Sequence, residues 1–319
     1  MIVYNDAMDA VCSLFHGARA HGAFLMRSSM DPPWSLRIED EAPLTLAAVV
    51  RGSAWVIPDH ADRAELGAGD VALLRGPDHY TVADDPATAP QVVIGPGQTC
   101  TTVHGAEAFG PYRQSIRSWG NTVAGQSLLV TGTYETSSEI SERLLRALPT
   151  VAVIRRAEWE TPLVDLLAEE IVRDAPGQTV FLDRILDLLC LAAVRACFTR
   201  PDADPPAWYR ATSDPVVGPA LELMHNNPAH AWTVALLAAQ VGASRASLAR
   251  KFTDLVGEPP LTYLTNWRLD LAADQLTIAD ASVSRVARAV GYTSPFAFSN
   301  AFKRRTGTSP SNYRVRASV

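Results

Sequence analysis

Short apolar runs, separated by turn residues, make up most of the chain up to about residue 135. The separating clusters are rich in Gly, Pro and Asp, as in the segment Gly67–Asp70. This spacing predicts an antiparallel β-sandwich or β-barrel, with a short helix before it at Asp6–Phe15. The predicted strands include Leu44–Val50, Ala54–Ile57, Val71–Leu74, Gln91–Ile94 and Ser127–Thr133.

Helical spacing replaces this pattern after residue 160. A first helix is predicted between Pro162, which suits a helix start, and Pro176, which interrupts one. A second predicted helix, Thr179–Phe198, is apolar around much of its circumference and must therefore be buried. Packing against their own domain and packing in a dimer interface would both bury these helices. The apolar residues of the first helix are Leu163, Leu166, Leu167, Ile171 and Val172.

A proline-rich linker divides the chain. It contains Pro201, Pro205 and Pro206, and the residues after it have a helical period. We therefore predict an α+β protein of two domains. Residues 1–200 form a β-barrel domain with a helical dimerisation segment, residues 201–214 form the linker, and residues 215–319 form an all-α domain.

One plan occurs twice in the all-α domain, in Thr233–Gly257 and in Ser282–Gly307. Each copy has a capped short helix, a glycine turn, and a second helix capped by Ser244 or Ser294. This order predicts two helix-turn-helix units, whose second helices enter the DNA major groove. Pro260–Leu276 is predicted to be one long helix between them. The copies match at Gly242 and Gly291, Leu248 and Phe298, and Phe252 and Phe302.

Charge and composition agree with this division. From Pro215 onward there are 11 Lys and Arg against 6 Asp and Glu, whereas the preceding residues have 17 against 28. A basic domain joined to an acidic one is typical of a nucleic-acid-binding protein. Four cysteines are too few for a disulfide framework, and neither a secretion signal nor a membrane span is visible. We therefore expect a cytoplasmic protein without a membrane partner.

Several motifs in the all-α domain form a recognisable set. They are Val286-Ala287, Gly291-Tyr292, Ser294, Phe298, Phe302-Lys303-Arg304, Gly307 and Ser309–Arg314, with Trp267-Arg268-Leu269 and Ala273 in the long helix. With these motifs, the region Asp214–Arg316 resembles the DNA-binding domain of the AraC/XylS family of transcription regulators. The segments Pro33–Arg37, Gly69–Val71 and Pro77–His79 resemble the cupin-type sensor found in one branch of that family. The region Pro215–Gly257, with Ala220–His225 and Pro228, resembles the same branch.

The resemblance implies a sequence-specific DNA-binding transcription regulator. Its N-terminal domain would sense a small effector and its C-terminal domain would bind double-stranded promoter DNA. A homodimer is expected, and RNA polymerase is a further partner if the protein is an activator. No metalloprotease helix, phosphate loop or nucleophile elbow is present, so we do not expect an enzyme. A cupin enzyme with an accessory helical region is the alternative from another class.

Helix geometry selects the residues that face DNA. On both recognition helices the apolar anchors face the core, and the opposite faces are exposed. Arg can donate two hydrogen bonds to guanine, whereas Asn300 stands where the AraC family often has Arg and prefers adenine. Arg305 and its neighbours suit phosphates but also complement the helix dipole. The expected contacts are Ser244, Arg245, Ala246, Ala249, Arg250, Ser294, Pro295, Phe296, Ala297, Ser299, Asn300, Lys303 and Arg304, with Arg268 added through the resemblance.

Candidate effector ligands are less distinctive. Aromatic side chains and one imidazole could line a pocket in the barrel mouth, although core packing explains the aromatics equally well. These candidates are Trp34, Trp55, His79, Tyr80 and Tyr134. We expect no cofactor, because metal-binding cupins offer several His and a Glu, whereas only His79 lies in the matching stretch and His60 is poorly spaced.

Two Cys-x3-His pairs leave an alternative input open. Cys12 and His16, and Cys100 and His104, share a spacing that places Cys and His on one helix face. Together they could hold zinc, or the thiols could make the regulator redox-responsive. Two buried thiols with unrelated histidines are the plainer interpretation. Cys190 and Cys197 lie seven residues apart on an apolar helix and suit core packing.

Overall fold

Two units make up the chain, described here from a computed structural model that covers residues 23–134, 142–159, 161–200, 203, 205–276 and 282–317. The first unit contains the strands and the helices up to residue 200, and the second contains the helices that follow. No helix in these ranges is both long and apolar enough to cross a membrane. The helix predicted at Asp6–Phe15 lies outside the described residues.

The first unit contains two six-stranded sheets. Neighbouring strands are antiparallel, except that β1 pairs with β10 and β2 pairs with β8 in parallel. The first sheet has the order β10-β1-β11-β3-β6-β12, with β1 (Phe24–Met30), β3 (Leu44–Arg51), β6 (Val71–Arg75), β10 (Ser118–Trp119), β11 (Ser127–Tyr134) and β12 (Val151–Ile154). The second has the order β5-β4-β7-β2-β8-β9, with β2 (Ser35–Ile38), β4 (Ser53–Pro58), β5 (Ala64–Gly67), β7 (Tyr80–Ala83), β8 (Val92–Gly95) and β9 (Thr99–Thr102).

These sheets form a sandwich and not the closed barrel that the prediction favoured. Among the described residues, no strand of one sheet is hydrogen-bonded to a strand of the other. The core lies between them. Met26, Ala47 and Leu129 of the first sheet and Val56 and Val82 of the second belong to one buried cluster. Alternate residues of each strand point into this core, as period-two packing requires.

Helices cover the outer face of the first sheet. The unit contains α1 (Phe109–Tyr112), α2 (Glu142–Ala147), α3 (Leu163–Glu170) and α4 (Gln178–Thr199). Because β3 is buried on both faces, its sequence is a continuous apolar run rather than an alternating one. Gly132 of β11 allows α4 to approach closely, since a Cβ there would collide with the side chain of Leu186. Both helices predicted after residue 160 are therefore present.

Only part of the sheet structure was predicted. The five predicted runs correspond to β3, β4, β6, β8 and β11, with ends that differ by at most one residue. The remaining strands are short, or interrupted by polar residues, as in Arg27–Ser29 of β1. Such strands are fixed by their pairing with neighbours rather than by an apolar run of their own.

The second unit is helical throughout its described part. Its helices are α5 (Ala207–Arg210), α6 (Val217–Asn226), α7 (Val234–Gln240), α8 (Arg245–Val256), α9 (Pro260–Leu276), α10 (Val283–Ala289), α11 (Pro295–Thr306) and α12 (Pro310–Ala317). Leu248, Phe252, Phe298 and Phe302 are fully buried, as predicted. Each recognition helix is therefore anchored by two apolar residues one turn apart.

The predicted linker contains a short helix. Its second half contains α5, and Trp208 and Ala211 in this half are buried. Asp214 pairs with Lys251 of α8 at 2.8 Å. The residues from 205 onward therefore belong to the helical unit, because buried aromatic and ion-pair contacts hold them there.

Candidate DNA interface and effector cavity

The two recognition helices α8 and α11 begin in the same way. The hydroxyl Oγ of Ser244 accepts a hydrogen bond from the Ser247 N–H at 3.1 Å. The Oγ of Ser294 accepts one from the Ala297 N–H at 3.3 Å. Each serine thus satisfies one of the free N–H groups at a helix start. Because a hydroxyl that accepts through a lone pair can still donate its proton, both serines remain able to approach a phosphate.

The turns before these helices depend on glycine. Gly242 has a φ of 68° and Gly291 a φ of 89°, in the left-handed region that favours glycine. Gly291 is also in close contact with a neighbouring loop, since a Cβ on it would lie 2.8 Å from the Cα of Ala229. This contact explains why the second turn requires glycine for two reasons and the first for one.

Most of the predicted DNA-facing side chains are exposed. On α8, Arg245, Ala246 and Arg250 are exposed and Ala249 is half-buried. On α11, Pro295, Phe296, Ala297 and Asn300 are exposed, Ser299 is half-buried, and Lys303 and Arg304 are exposed. Phe296 is unusual, because 76% of this large apolar side chain is accessible to solvent. An exposed aromatic at the start of a recognition helix is suited to contact with a thymine methyl group.

Four exposed cations on these helices make no ion pair with a described residue: Arg245, Arg250, Lys303 and Arg304. The other cations of these two helices are paired within the protein. Lys251 is held by Asp214, and Arg305 is held by Asp270 of α9 at 3.1 Å. The paired cations are already neutralised within the protein, so the unpaired ones are better placed to neutralise phosphates.

Arg268, which the resemblance adds to the expected DNA contacts, is hydrogen-bonded to the backbone of its own domain. Its guanidinium Nε donates to the carbonyl oxygen of Pro228 at 2.6 Å, and Nη2 donates to the carbonyl oxygen of His230 at 2.7 Å. The side chain is half-buried, and this burial lowers the pKa of Arg268. Its hydrogen bonds hold a loop to α9, so we assign it a packing role.

A cavity of about 90 Å³ lies between the two sheets of the first unit. Alternate residues of β1 line one side, and residues of β2, β7 and β9 line the other. Of the predicted effector ligands, Trp34 and Tyr80 line this cavity. Burial raises the pKa of Tyr80 well above its usual value, and the nearby Asp40 carboxylate raises it further, so this phenol is uncharged.

The other three effector candidates lie elsewhere. Trp55 occupies an outward position of β4, where the Arg63 guanidinium lies 5.6 Å from its ring centre. The Nδ1 of the partly exposed His79 lies 3.9 Å from a carboxylate oxygen of Glu39. The Tyr134 hydroxyl donates to Asp187 of α4 at 3.3 Å. Strand alternation explains the first of these corrections, because neighbouring residues of a strand face opposite sides.

Of the two Cys-x3-His pairs considered for zinc, the pair Cys100 and His104 lies within the described residues, and its geometry does not support a metal site. Cys100 lies on β9 and His104 in the following turn, so the two residues do not share a helix face. Burial, and secondarily the charge of Glu107, raise the pKa of the Cys100 thiol to about 11. No group of three or more potential metal ligands occurs among the described residues. Cys12 and His16 lie outside them.

Several cavity residues were missed by sequence reasoning. They include Met26, Met30, Cys100 and Trp119. A signal for the β1 residues was present, because Phe24, Met26, Ser28 and Met30 alternate with residues of the opposite face. The polar Arg27–Ser29 triplet obscured it. The contribution of Trp119 could not be deduced, because it depends on a two-residue strand that pairs with β1.

Comparisons with known proteins agree with the division into two units. Residues 9–199 match a family model described as a cupin, and residues 237–316 match one described as a helix-turn-helix domain. An AraC-like transcription regulator of Streptomyces lividans is 31% identical over 289 residues, which cover 88% of this chain and 90% of the relative. The transcriptional regulator AlkR of Acinetobacter baylyi is 28% identical over 313 residues, covering 96% and 99%.

The DNA-binding part also has a relative among solved structures. The DNA-binding domain of the global transcription factor AdpA, in complex with a target DNA, is 34% identical. The match covers 33% of this chain and 93% of that one, with a TM-score of 0.31.

Proposed function

Because the chain belongs to the AraC family of transcription regulators, with a cupin-type N-terminal domain, we propose that an effector bound in that domain controls how its helical unit binds promoter DNA. That the chain is a DNA-binding transcription regulator follows from its family. The proposal concerns the residues, the effector and the assembly through which it works. Such a regulator acts on cytoplasmic DNA, and the cysteines Cys100 and Cys190 are free thiols, as a reducing compartment favours.

One observation carries the DNA-binding part of the proposal. Each of two glycine turns leads into a serine-capped helix that presents unpaired cations on its exposed surface. We expect Arg245 and Arg250 of α8 to contact bases or phosphates, and Lys303 and Arg304 of α11 to contact phosphates. The helix α9 joins the two helix-turn-helix units. It allows their recognition helices to occupy major-groove segments about one helical turn, roughly 34 Å, apart.

The two recognition helices differ in what they can distinguish. The arginines of α8 can each donate two hydrogen bonds to guanine. The exposed face of α11 offers Phe296 for a thymine methyl group and Asn300 for adenine. We therefore expect α8 to contribute more to base choice at guanine positions and α11 to favour A·T pairs.

We infer that two copies of the chain associate through the helices α3 and α4. Large apolar side chains on α4 and in the turn that follows α3 are exposed, with Val180 at 61%, Phe181 at 51% and Leu188 at 53% on α4 and Val172 at 56% in the turn. An apolar patch of this kind on a helix pair suits a protein interface. A homodimer would double the number of DNA contacts, and if the protein is an activator its further partner is RNA polymerase.

The effector would act by shifting populations. A molecule that binds one arrangement of the two units more tightly than another increases the fraction of chains in that arrangement. The cavity between the sheets is the site that we assign to it. The affinity for promoter DNA then changes by no more than the ratio of the two effector affinities.

The test is selection of binding sites from random oligonucleotides by the purified full chain, with and without reductant. Two variants are compared on the selected site. Arg245→Ala/Arg250→Ala removes both exposed arginines of α8, and Arg63→Ala/Arg113→Ala removes two exposed arginines of the first unit that lie outside α3 and α4. We expect the first variant to lose at least about tenfold in affinity and the second to bind normally. Equal losses in both variants would contradict the proposed interface.

A further inference from the structure

Two hydrogen-bond donors in the cavity between the sheets have no acceptor. Trp34 and Trp119 both line the cavity, and they are 0% and 4% exposed. Neither indole Nε1 has a hydrogen-bond partner among the described residues. Buried polar groups in folded proteins are normally paired, so an unpaired donor beside a cavity indicates that something else accepts its hydrogen bond.

Two pairs of polar groups in the cavity lining are hydrogen-bonded to each other. The Asp40 carboxylate accepts a hydrogen bond from the Gln98 side-chain amide at 3.1 Å. The Thr45 hydroxyl lies 3.4 Å from the Thr133 hydroxyl, to which it donates. Among the side chains that line the cavity, the two indoles are the ones whose buried polar atom has no hydrogen-bond partner in the described part of the chain.

The rest of the lining favours an uncharged ligand. Met26, Met30 and Leu129 contribute apolar surface, and no Lys, Arg or His is among the described residues around the cavity. An anion would enter without a counter-charge and close to Asp40, and burial of an unpaired charge is strongly unfavourable. A wholly apolar molecule would leave the indole donors unpaired.

The size of the cavity limits the ligand further. Its volume is about 90 Å³, whereas an apolar cavity of roughly 150 Å³ is known to hold benzene. Met26 and Met30 have flexible side chains that can adjust to an occupant. A molecule about the size of a six-membered ring is therefore the largest that fits with modest adjustment.

We propose that this cavity binds a small, uncharged, largely apolar molecule that carries a carbonyl or ether oxygen, and that the indole N–H groups of Trp34 and Trp119 donate hydrogen bonds to that oxygen. The inference rests on the proposed effector function of this unit, because it specifies the chemistry of the effector. It also distinguishes Trp34 and Trp119 from the tryptophan at position 55, which does not line the cavity.

The test uses the full chain labelled with ¹⁵N in its tryptophan indoles, with cyclohexanone as the probe. Trp34→Phe and Trp119→Phe each remove one donor while keeping an aromatic ring, and they also assign the two resonances. Trp55→Phe is the matched control. We expect cyclohexanone to move the Trp34 and Trp119 indole protons downfield and leave that of Trp55 in place. Each cavity variant should bind the probe about tenfold more weakly, and the control should bind normally.

Two further probes separate the parts of the inference. Methylenecyclohexane has the same shape without the oxygen, and benzoate adds a negative charge. We expect both to bind at least about tenfold more weakly than cyclohexanone. Equal binding of methylenecyclohexane would overturn the role of the donors, and tighter binding of benzoate would overturn the uncharged class. If the two cavity variants do not fold, a downfield shift of two indole protons other than the one that Trp55→Phe assigns still supports the inference, and no such shift overturns it.

DNA binding of the same preparation to its selected site separates this inference from the proposed function. Binding of DNA without binding of cyclohexanone would overturn the inference alone. Binding of cyclohexanone without binding of any selected DNA would overturn the proposed function and leave the ligand class standing.

Discussion

Arg268 and Pro228 are joined by a hydrogen bond of 2.6 Å from the guanidinium to the backbone carbonyl oxygen. A second bond from the same guanidinium reaches His230, so the loop between α6 and α7 is fastened to the long helix α9. The same loop meets the second turn, where Ala229 packs against Gly291. One short segment thus contacts elements of both helix-turn-helix units, and the position of one unit relative to the other depends on it.

Replacement of Arg268 by Leu should destabilise the helical unit by about 2 kcal/mol, because two carbonyl groups lose a charged donor. DNA affinity should fall as well, with little change in its dependence on salt, because no phosphate contact is removed. Urea unfolding and DNA titration at two salt concentrations measure these effects. Arg245→Ala is the control and should give the opposite result, with unchanged stability and a smaller salt dependence. An unchanged free energy of unfolding in urea for Arg268→Leu would refute its packing role.

The two turn glycines offer a matched comparison. Gly242 has nothing within 4 Å of a Cβ built on it, whereas at Gly291 that Cβ would meet Ala229. Both have positive φ, so Gly242→Ala should cost about 1 kcal/mol from backbone strain alone. Gly291→Ala should cost roughly 1–3 kcal/mol more, because the loop must move. Chemical unfolding of the two variants measures the difference. Equal losses would show that the loop gives way freely.

A substitution on α4 tests the proposed dimer. Leu188 is 53% exposed on the outer side of this helix, and a charge there should weaken an apolar interface without disturbing the core. Leu188→Glu should therefore shift the full chain from dimer to monomer at micromolar concentration, as measured by sedimentation. Ala89→Glu, at an exposed position of the first unit outside these helices, is the control. A monomeric unsubstituted chain would contradict the proposed association outright.

The thiol of Cys100 should react slowly at neutral pH. Its pKa is raised to about 11, so the protonated form predominates and only about one molecule in a thousand carries the thiolate at pH 8. Alkylation by iodoacetamide, followed by mass spectrometry, should accelerate about tenfold per pH unit between pH 7 and 9.5. A model cysteine peptide, with a pKa of about 8.5, should instead level off near pH 9. An early plateau for Cys100 would indicate a reactive thiol and reopen a redox input.

The helical unit could be predicted from the sequence almost element by element, whereas the effector site could not. Thr233, Ser244, Ser282 and Ser294 cap the helices that were assigned to them, because capping is a local interaction between residues three apart. Long-range contacts decide the rest. The role of Arg268 depends on carbonyl groups 38 and 40 residues away, and no local pattern predicts these partners.

The contrast between local and long-range interactions also explains which predicted effector ligands line the cavity and which do not. Trp34 and Trp55 are both aromatic residues in or beside short strands, and sequence gives no reason to prefer one. The structure distinguishes them by strand face, because Trp55 lies on the outward side of β4 and Trp34 is buried between the sheets. Strand register determines the face, and pairing with distant strands determines the register.

Substitutions on the two recognition helices should have unequal effects. An Arg that donates two hydrogen bonds to guanine gives about 1–3 kcal/mol of discrimination between bases, whereas a phosphate contact adds affinity without base choice. Arg250→Ala should therefore lower affinity and relax base preference at one or two positions. Asn300→Ala should do less. Lys303→Ala should weaken binding to all sequences alike and reduce the salt slope by about one unit, because one fewer phosphate is neutralised.

These three variants are measured on the selected site and on its single-base variants, at two salt concentrations. Ala89→Ser, at an exposed position of the first unit, provides a control for handling and concentration errors. A larger change in base preference for Asn300→Ala than for Arg250→Ala would reverse the order of the two helices. Because Lys303 and Asn300 lie on the same helix one turn apart, a changed salt slope for Lys303→Ala with normal base preference for Asn300→Ala has a specific meaning. It would show that α11 lies close to the phosphate backbone and that base choice resides mainly in α8.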